Sequence, residues 1–310
     1  MFPFELKVVS IPLKSDFRAI KYREIALFQG PEGWSEFSPF LEYSYEECAP
    51  WLASAIEAAT KPRPKLYRTS VKVNGTIPAL NDPKDIEGIV NSFPGVNTFK
   101  VKVGDNLPED IARLAKVRAL RPEAKLRIDV NGNWSVGEAI TNLRAIYENL
   151  GALEYVEQPC ATIEELRELK SRTSVKIVGD EVLRKAADPF AIDLVGAVDY
   201  LMLKVQPLGG IKRAHAIAEH HKLPVVVSSA LESAVGINYG LTLAASFETM
   251  NFNCGLGTGS LLAADVAQLP IVDGKIEISE FEPQLQGLDV APDRFEWWKN
   301  RIMRTAELLQ

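Results

Sequence analysis

From residue 70 onward one pattern repeats: a short β-branched run, a helical stretch, then another run. The runs are SVKVNGTIPAL, TFKVKVG, KLRIDVN, LEYVEQP, KIVGDE, DYLMLKVQP, PVVVSSA and NFNCGLG. Their centres lie about 23 to 28 residues apart, the length of one strand plus one crossover helix. The stretches between them, such as LPEDIARLAKVRALRPE, SVGEAITNLRAIYENLG and TIEELRELKSRTS, have apolar positions at helical spacing. The first opens with a proline and acids, the second with a serine, both good helix starts. Parallel strands need crossovers, and the crossovers cover the sheet's outer face, so eight units in a row predict a TIM-like (β/α) barrel. An open doubly wound sheet is the alternative. It would carry a glycine-rich phosphate turn after its first strand, and VNGTIPALNDPK contains no G-x-G-x-x-G.

Residues 1–68 stand outside this repeat. ELKVVSIPL and YREIALFQG read as strands, GPEGWSEFSP as a loop and YEECAPWLASAIEAAT as a helix, which together make an α+β layer. KPRPKLYRT is the expected link from it. The tail from Asp273, with KIEISEF and DRFEWWKNRIMRTAELL, follows the eighth strand and is expected to pack back on that layer. The expected division is a barrel of residues 69–272 and an α+β capping domain of residues 1–68 completed by 273–310.

Composition excludes several functions. With 35 basic and 41 acidic residues the net charge is −6, and no basic run is dense enough to track phosphates, so nucleic acid is not an expected partner. No stretch reaches the roughly 18 to 20 uncharged apolar residues of a membrane span, and MFPFELKVVSIPLKSDFR is charged too early for a signal peptide. A cytoplasmic protein without membrane contact is expected. Cys48, Cys160 and Cys254 are odd in number and far apart, so they predict buried apolar residues rather than a disulfide framework or thiolate metal site, with Cys160 close to a possible site. His215, His220 and His221 all fall in KRAHAIAEHHKLP, an outer helix, and are expected on the solvated surface. That removes histidine as a general base. There is no G-x-S-x-G elbow and no P-loop.

In a barrel of this kind the C-terminal ends of the strands converge on one mouth. Here those ends are charged: Lys100 and Lys102, then Asp129, Glu157, Asp180 and Lys204. Three carboxylates ending successive strands repel one another in a partly dry mouth, by about 4 kcal/mol for a close pair at an effective dielectric of 20. A hard divalent cation such as Mg²⁺ remedies this with all-oxygen ligands and keeps positions open for substrate. Singly, each acid reads equally well as a strand-end residue held by a structural ion pair; three together flanked by lysines do not. Lys100 and Lys102, two apart, share one face of their strand. A lysine beside a cation and a second lysine is expected to have its proton affinity lowered, which makes an amine a usable base. Lys204 comes from the opposite wall. Lys100 is expected to pair in part with an acidic ligand and steady its neighbour.

These residues resemble a known family. The K-x-K of Lys100 and Lys102, the D-V-N-G-N-W from Asp129 through Asn131, the E-Q-P from Glu157, the G-D-E ending in Asp180 and Glu181, and Lys204 followed by Gly209 and Gly210 are similar in order and spacing to the muconate lactonizing branch of the enolase superfamily. The likeness spans the chain, since the N-terminal layer and returning tail resemble that superfamily's capping domain. Within the branch, Gly33 to Pro39, Ser228 to Ser233, the run Gly255-Leu256-Gly257-Thr258-Gly259 and Arg127 resemble the o-succinylbenzoate synthase family.

The resemblance implies a lyase of menaquinone biosynthesis. It would dehydrate 2-succinyl-6-hydroxy-2,4-cyclohexadiene-1-carboxylate to 2-succinylbenzoate by syn elimination of water, through an enediolate stabilised by Mg²⁺, with Mn²⁺ as a substitute. It assigns Asp129, Glu157 and Asp180 to the metal, Lys102 as base and then acid, and Lys204 as the opposing cation. Lys100, Arg127, Asn131, Glu181, Ser228, Ser229, Gly257 and Thr258 are expected around them or the small-molecule carboxylate substrate. Three alternatives stay open. Two facing lysines also suit racemisation of N-acylamino acids, muconate cycloisomerases share the motifs but are longer, and a catalytically silent barrel would bind a carboxylate through its metal. Dipeptide epimerases carry D-x-D where this chain has Gly255-Leu256-Gly257. Oligomeric state has no signature in the pattern.

Overall fold

The computed structural model describes residues 2–17, 20–104 and 106–309. The chain opens with a three-stranded antiparallel sheet, β1 (Leu6–Phe17), β2 (Ile20–Gly30) and β3 (Gly33–Phe37), followed by helix α1 (Tyr45–Thr60). Alternation along β2 splits its side chains between two cores. Ala26 and Phe28 join Phe37, Trp51 and Leu52 on the helix side, and Ile25 and Leu27 pack against Leu231, Ala234 and Val235 on the other. Both faces are buried from Ile25 to Phe28, which is why YREIALFQG is continuously apolar there. Helix α1 starts on a reciprocal capping box, with Ser44 Oγ accepting from the Glu47 amide and the Glu47 carboxylate accepting from the Ser44 amide.

A short β4 (Ser70–Lys72) leads into the repeat of β5 (Gly75–Ile77), α2 (Pro83–Asn91), β6 (Thr98–Lys102), α3 (Leu107–Leu120), β7 (Lys125–Asp129), α4 (Val136–Leu150), β8 (Tyr155–Glu157) and α5 (Ile163–Arg172). It continues through β9 (Ile177–Gly179), α6 (Glu181–Arg184), β10 (Tyr200–Lys204), α7 (Ile211–His221), β11 (Val225–Ser228) and α8 (Ala234–Ser246). Strands β5 to β11 form one parallel sheet in sequence order. The helix starts follow the sequence signals: Asn106 caps α3 ahead of a proline in its first turn, and Ser135 and Thr162 form capping boxes with Glu138 and Glu165.

Four details depart from eight equal units. The first run, SVKVNGTIPAL, is cut in two, and β4 pairs antiparallel with β12 (Lys275–Glu277) while β5 enters the barrel. The eighth run, NFNCGLG, contributes only Cys254, bridged to Val73, and Gly255, bridged to Ser228. Those two residues close the ring through backbone hydrogen bonds, Asn74 N to Cys254 O at 2.8 Å and Gly255 N to Val227 O at 2.8 Å. After β9 the crossover shrinks to the four-residue α6, because the following segment, with Asp188, Pro189 and Asp193, turns instead of coiling. The tail also divides: β12 stays with the barrel, and it is α9 (Pro292–Glu307) that returns to the N-terminal layer. There Trp298 packs edge-on to Phe37 at 5.9 Å, and Ile302 joins the same core. The architecture is a modified (β/α) barrel with an α+β cap. Among the described residues no helix is long and apolar enough to cross a membrane.

Candidate active site

Parallel register sets the mouth. Lys102 pairs with Asp129 and Asp129 with Glu157, while Lys204 pairs with Ser228, which bridges to Gly255. Strands β6 and β10 are four steps apart in a ring of eight, so the two lysines stand on opposite walls. The cap covers this end: Phe40, Tyr43 and Trp51 line the same cavity of about 660 Å³ as Lys100, Lys102, Asp129, Asn131, Glu181 and Lys204. A cavity of about 900 Å³ between α1 and α7 is larger, but none of the strand-end charges reaches it. The smaller cavity is the candidate.

Local backbone aims these groups. Asn131 (φ 52°) and Gly132 (φ 77°) make a left-handed turn after β7, which folds the D-V-N-G-N-W segment back so that the Gly132 amide meets Gln158 O at 2.6 Å. Gln158, from the E-Q-P motif, is a strut: its Oε1 accepts from the amides of Asp180 (3.1 Å) and Val182 (3.2 Å), and its Nε2 donates to Cys160 O at 2.8 Å.

Electrostatics divides the acids. Lys100 Nζ lies 2.8 Å from Glu157 Oε2 and 3.3 Å from Asp129 Oδ2. Burial works against the Lys100 ammonium, yet Glu157 and Asp129 raise its proton affinity well above the ordinary value. Glu157 is pushed up to about 7 by burial and by the neighbouring Asp129 charge, against Lys100 and Lys204. Burial also opposes ionisation of Asp129, but Lys100, Lys102 and Lys204 outweigh it and hold the group below the usual range. Asp180 is likewise penalised by burial and is held well below that range by Lys204, with Nζ 2.5 Å from Oδ2, and by Arg184. Lys102 Nζ donates to Asn131 Oδ1, and Asn131 Nδ2 donates to Glu181 Oε1 at 3.1 Å.

The donor set suits a hard divalent cation: three carboxylates, with no histidine or cysteine lining the cavity. Glu157 Oε1 and Asp180 Oδ1 are buried without a hydrogen-bond partner, the latter lying 3.2 Å from Arg184 Nε. Among the described residues no three His, Cys, Asp or Glu side chains are gathered closely enough to hold an ion as they stand. The lysine ammonium groups meet the carboxylates instead.

Comparison with known proteins follows this geometry. Residues 91–295 match the family described as Enolase C-terminal domain-like and residues 8–59 that described as Enolase N-terminal domain-like. The o-succinylbenzoate synthase of Mycobacterium ulcerans is 46% identical over 98% of this chain and 94% of its own length. The chain belongs to the o-succinylbenzoate synthase family of the enolase superfamily. In fold, the dipeptide epimerase of Enterococcus faecalis, solved with Mg and a dipeptide, superposes with a TM-score of 0.75 at 21% identity, covering 91% of this chain and 98% of its own. The muconate lactonizing enzyme of Pseudomonas putida gives 0.73 at 19% identity, covering 95% and 98%.

Set in this family fold, most of the expected residues meet at the cavity: Lys100, Lys102, Asp129, Asn131, Glu181, Lys204, Ser228, Ser229 and Thr258 line it. Glu157 and Asp180 are wholly buried at its floor. Ser229 Oγ donates to Gly255 O at 2.6 Å and shares a 2.8 Å bond with Thr258 Oγ1. Two of the residues expected around the site lie behind the cavity wall. Arg127 does not reach the cavity: it lies one layer down, its guanidinium bound to Glu154 (2.6 Å), Asn74 (2.9 Å) and Asn253 O (2.7 Å) and stacked 4.6 Å over Tyr155. Gly257 also lies behind the wall, where a Cβ would meet Phe93 Cε1 at 3.0 Å and Asn74 O at 3.1 Å; Gly255 lines the cavity in its place. Two of the three histidines are half-buried rather than solvated: His215 shares a 2.7 Å bond with Ser246 Oγ and stacks on Phe247, and His221 bonds to Pro189 O at 2.8 Å. All three cysteines are buried, and Cys160 faces away from the cavity lining. Sequence reasoning missed Arg184 and Tyr43, which carry no strand-end signal. Both line the cavity.

Proposed function

We propose that this chain dehydrates 2-succinyl-6-hydroxy-2,4-cyclohexadiene-1-carboxylate to 2-succinylbenzoate, as a lyase that works with a divalent metal, Mg²⁺ or its substitute Mn²⁺. The observation that carries the reading is the pair of lysines on opposite walls of one cavity with three acids between them, Glu157 and Asp180 buried and Asp129 half-buried, in a chain 46% identical to a named synthase. Asp129, Glu157 and Asp180 would hold the metal. When bound, it supplies positive charge to the substrate carboxylate as negative charge develops there.

The chain's own residues do the rest. Lys102 Nζ takes the proton from the carbon bearing the carboxylate, and the C–H electron pair moves into the ring and carboxylate. Lys204 faces the developing charge from the opposite wall as an ammonium. The same Lys102 proton then passes to the departing hydroxyl on the same face, the C–O bond breaks, water leaves and the ring becomes aromatic. Lys100 neutralises Glu157 and Asp129 from below, and Phe40, Tyr43 and Trp51 of the cap exclude water from above. Ser229 and Thr258 offer hydroxyls to the succinyl tail.

Incubating the purified chain with the cyclohexadiene tests this. The ultraviolet change of ring aromatisation is expected with Mg²⁺, abolished by EDTA and restored by excess Mg²⁺; absence of any metal-dependent change sinks the reading. The facing lysines also favour a second activity, racemisation of N-succinylamino acids, in which one lysine removes the α-proton and the other supplies it. In D₂O that activity requires deuterium to enter the α-carbon with inversion. A substrate that keeps its proton excludes it.

A further inference from the structure

Arg184 is the last residue of α6, and its side chain is only 10% exposed. It points three donors at three targets. Nε donates to Asp180 Oδ2 at 3.3 Å, Nη2 donates to Glu181 Oε1 at 2.7 Å, and Nη1 donates to the Tyr43 hydroxyl at 3.3 Å. Tyr43 belongs to the cap, so this last bond crosses from barrel to cap. The cap loop is itself fixed by the tail helix: the Arg301 guanidinium donates to the carbonyls of Phe40 (2.9 Å), Leu41 (3.0 Å) and Tyr43 (2.7 Å).

On the barrel side the bonds continue inward. Glu181 Oε1 accepts from both Arg184 Nη2 and Asn131 Nδ2, and Asn131 Oδ1 accepts from Lys102 Nζ. Glu181 Oε1 takes the NH₂ end of the Asn131 amide. The carbonyl end must then face Lys102. A neutral amide therefore receives its orientation from Glu181, Glu181 from Arg184, and Arg184 from a hydroxyl on the cap. One unbroken chain of hydrogen bonds joins Tyr43 to the amine.

We propose that Arg184 is a positioning residue that couples the seating of the cap to the Lys102 amine through Glu181 and Asn131. The plain alternative is that Arg184 merely neutralises Asp180 and Glu181. The two differ in what the Tyr43 hydroxyl does, since removing it alters no charge. A fixed amine keeps its reacting atom in line, and small misplacements of catalytic groups cost up to about 100-fold in rate.

The assay rests on the dehydration reading; the inference itself rests on the bonds. The full chain, saturated with Mg²⁺, is compared with Tyr43→Phe, Glu181→Gln and the double variant. Tyr43→Phe is expected to lower kcat about 5-fold with KM within about twofold, and Glu181→Gln to lower kcat about 50-fold with the Mg²⁺ Kd by calorimetry within about threefold. The double variant is expected to be no slower than Glu181→Gln alone, because the chain is already cut. Multiplying effects, an unchanged Tyr43→Phe, or a Tyr43→Phe change confined to KM each overturn the proposal. If Glu181→Gln does not fold, Asn131→Ser takes its place in the cycle. A readout without turnover is amide hydrogen exchange: Tyr43→Phe is expected to quicken exchange about threefold in residues 129–132 and 181–185, and no change there overturns the proposal. A wild-type chain inert toward the cyclohexadiene sinks the dehydration reading, while exchange still decides this one.

Discussion

Lys204 Nζ lies 2.5 Å from Oδ2 of Asp180, on the wall of the barrel opposite Lys102. The two lysines are therefore not equivalent. One is committed to a carboxylate, and the other donates to the neutral amide of Asn131.

That asymmetry supports the proposal that Lys102 is the base. Lys102→Ala is expected to lower kcat by about 10³-fold or more, in the upper range for loss of a general base, while calorimetry finds Mg²⁺ affinity nearly unchanged. Substantial residual turnover would show that the assignment is wrong.

Lys100 carries a stability role. Glu157 is fully buried, and Lys100→Met removes the ammonium 2.8 Å from it. Leaving a buried charge unpaired costs about 3 to 5 kcal/mol. Urea denaturation is expected to show a loss of that order without added metal. Saturating Mg²⁺ should recover part of it, because a cation that binds only the folded chain stabilises it by mass action.

Arg127 ties β7 to Glu154, Asn74 and Asn253 beneath the mouth. Arg127→Leu is expected to cost about 3 kcal/mol or more in urea, since the partly buried Glu154 loses its guanidinium. KM for the substrate is expected to stay within about twofold in whatever fraction remains folded. A large rise in KM at unchanged stability would restore Arg127 to the substrate.

Stability should fall as the pH rises from weakly acid to neutral. Burial, with the Glu36 charge adding to it, pushes Glu232 up to about 7 from an ordinary value of 4.5. Its folded-state value is raised, so its stabilisation is complete below about pH 4.5 and is lost as the pH passes through 7. The loss is on the order of 3 kcal/mol. Asp265, raised to about 7 mainly by burial, acts in the same direction. Glu232→Gln is expected to flatten the dependence of Tm on pH between 5 and 8 and to melt higher than wild type at pH 8. Parallel curves for the two proteins would remove Glu232 from the account.

What the sequence disclosed follows from periodicity. Lys102, Asp129 and Lys204 end β-branched runs, and Glu157 and Asp180 end or follow strands as short as three residues, so their meeting place was readable from the eightfold repeat. Period two also set the facing of Lys100 and Arg127 but not their depth. Both lie one layer below the mouth: Lys100 carries a flexible chain to Glu157, whereas the Arg127 guanidinium is captured by Glu154 and Asn74. The eighth strand shrank to two residues, and α6 to four, because no hydrophobic period marks a segment held by backbone bonds alone. Tyr43 and Arg184 were invisible for a related reason. They meet across 141 residues of chain, and neither ends a run.

The seam at Cys254 and Gly255 has a consequence for what the enzyme can become. A side chain at Gly255 would start 2.3 Å from Ser228 Oγ and 3.0 Å from its Cβ, and one at Gly257 would press on Phe93 and the Asn74 carbonyl. A side chain at either position needs its neighbours to withdraw first. In mutational terms the ring's thinnest joint is a barrier: a seam closed through glycine backbone admits new chemistry at the mouth only by coordinated changes, not by one substitution.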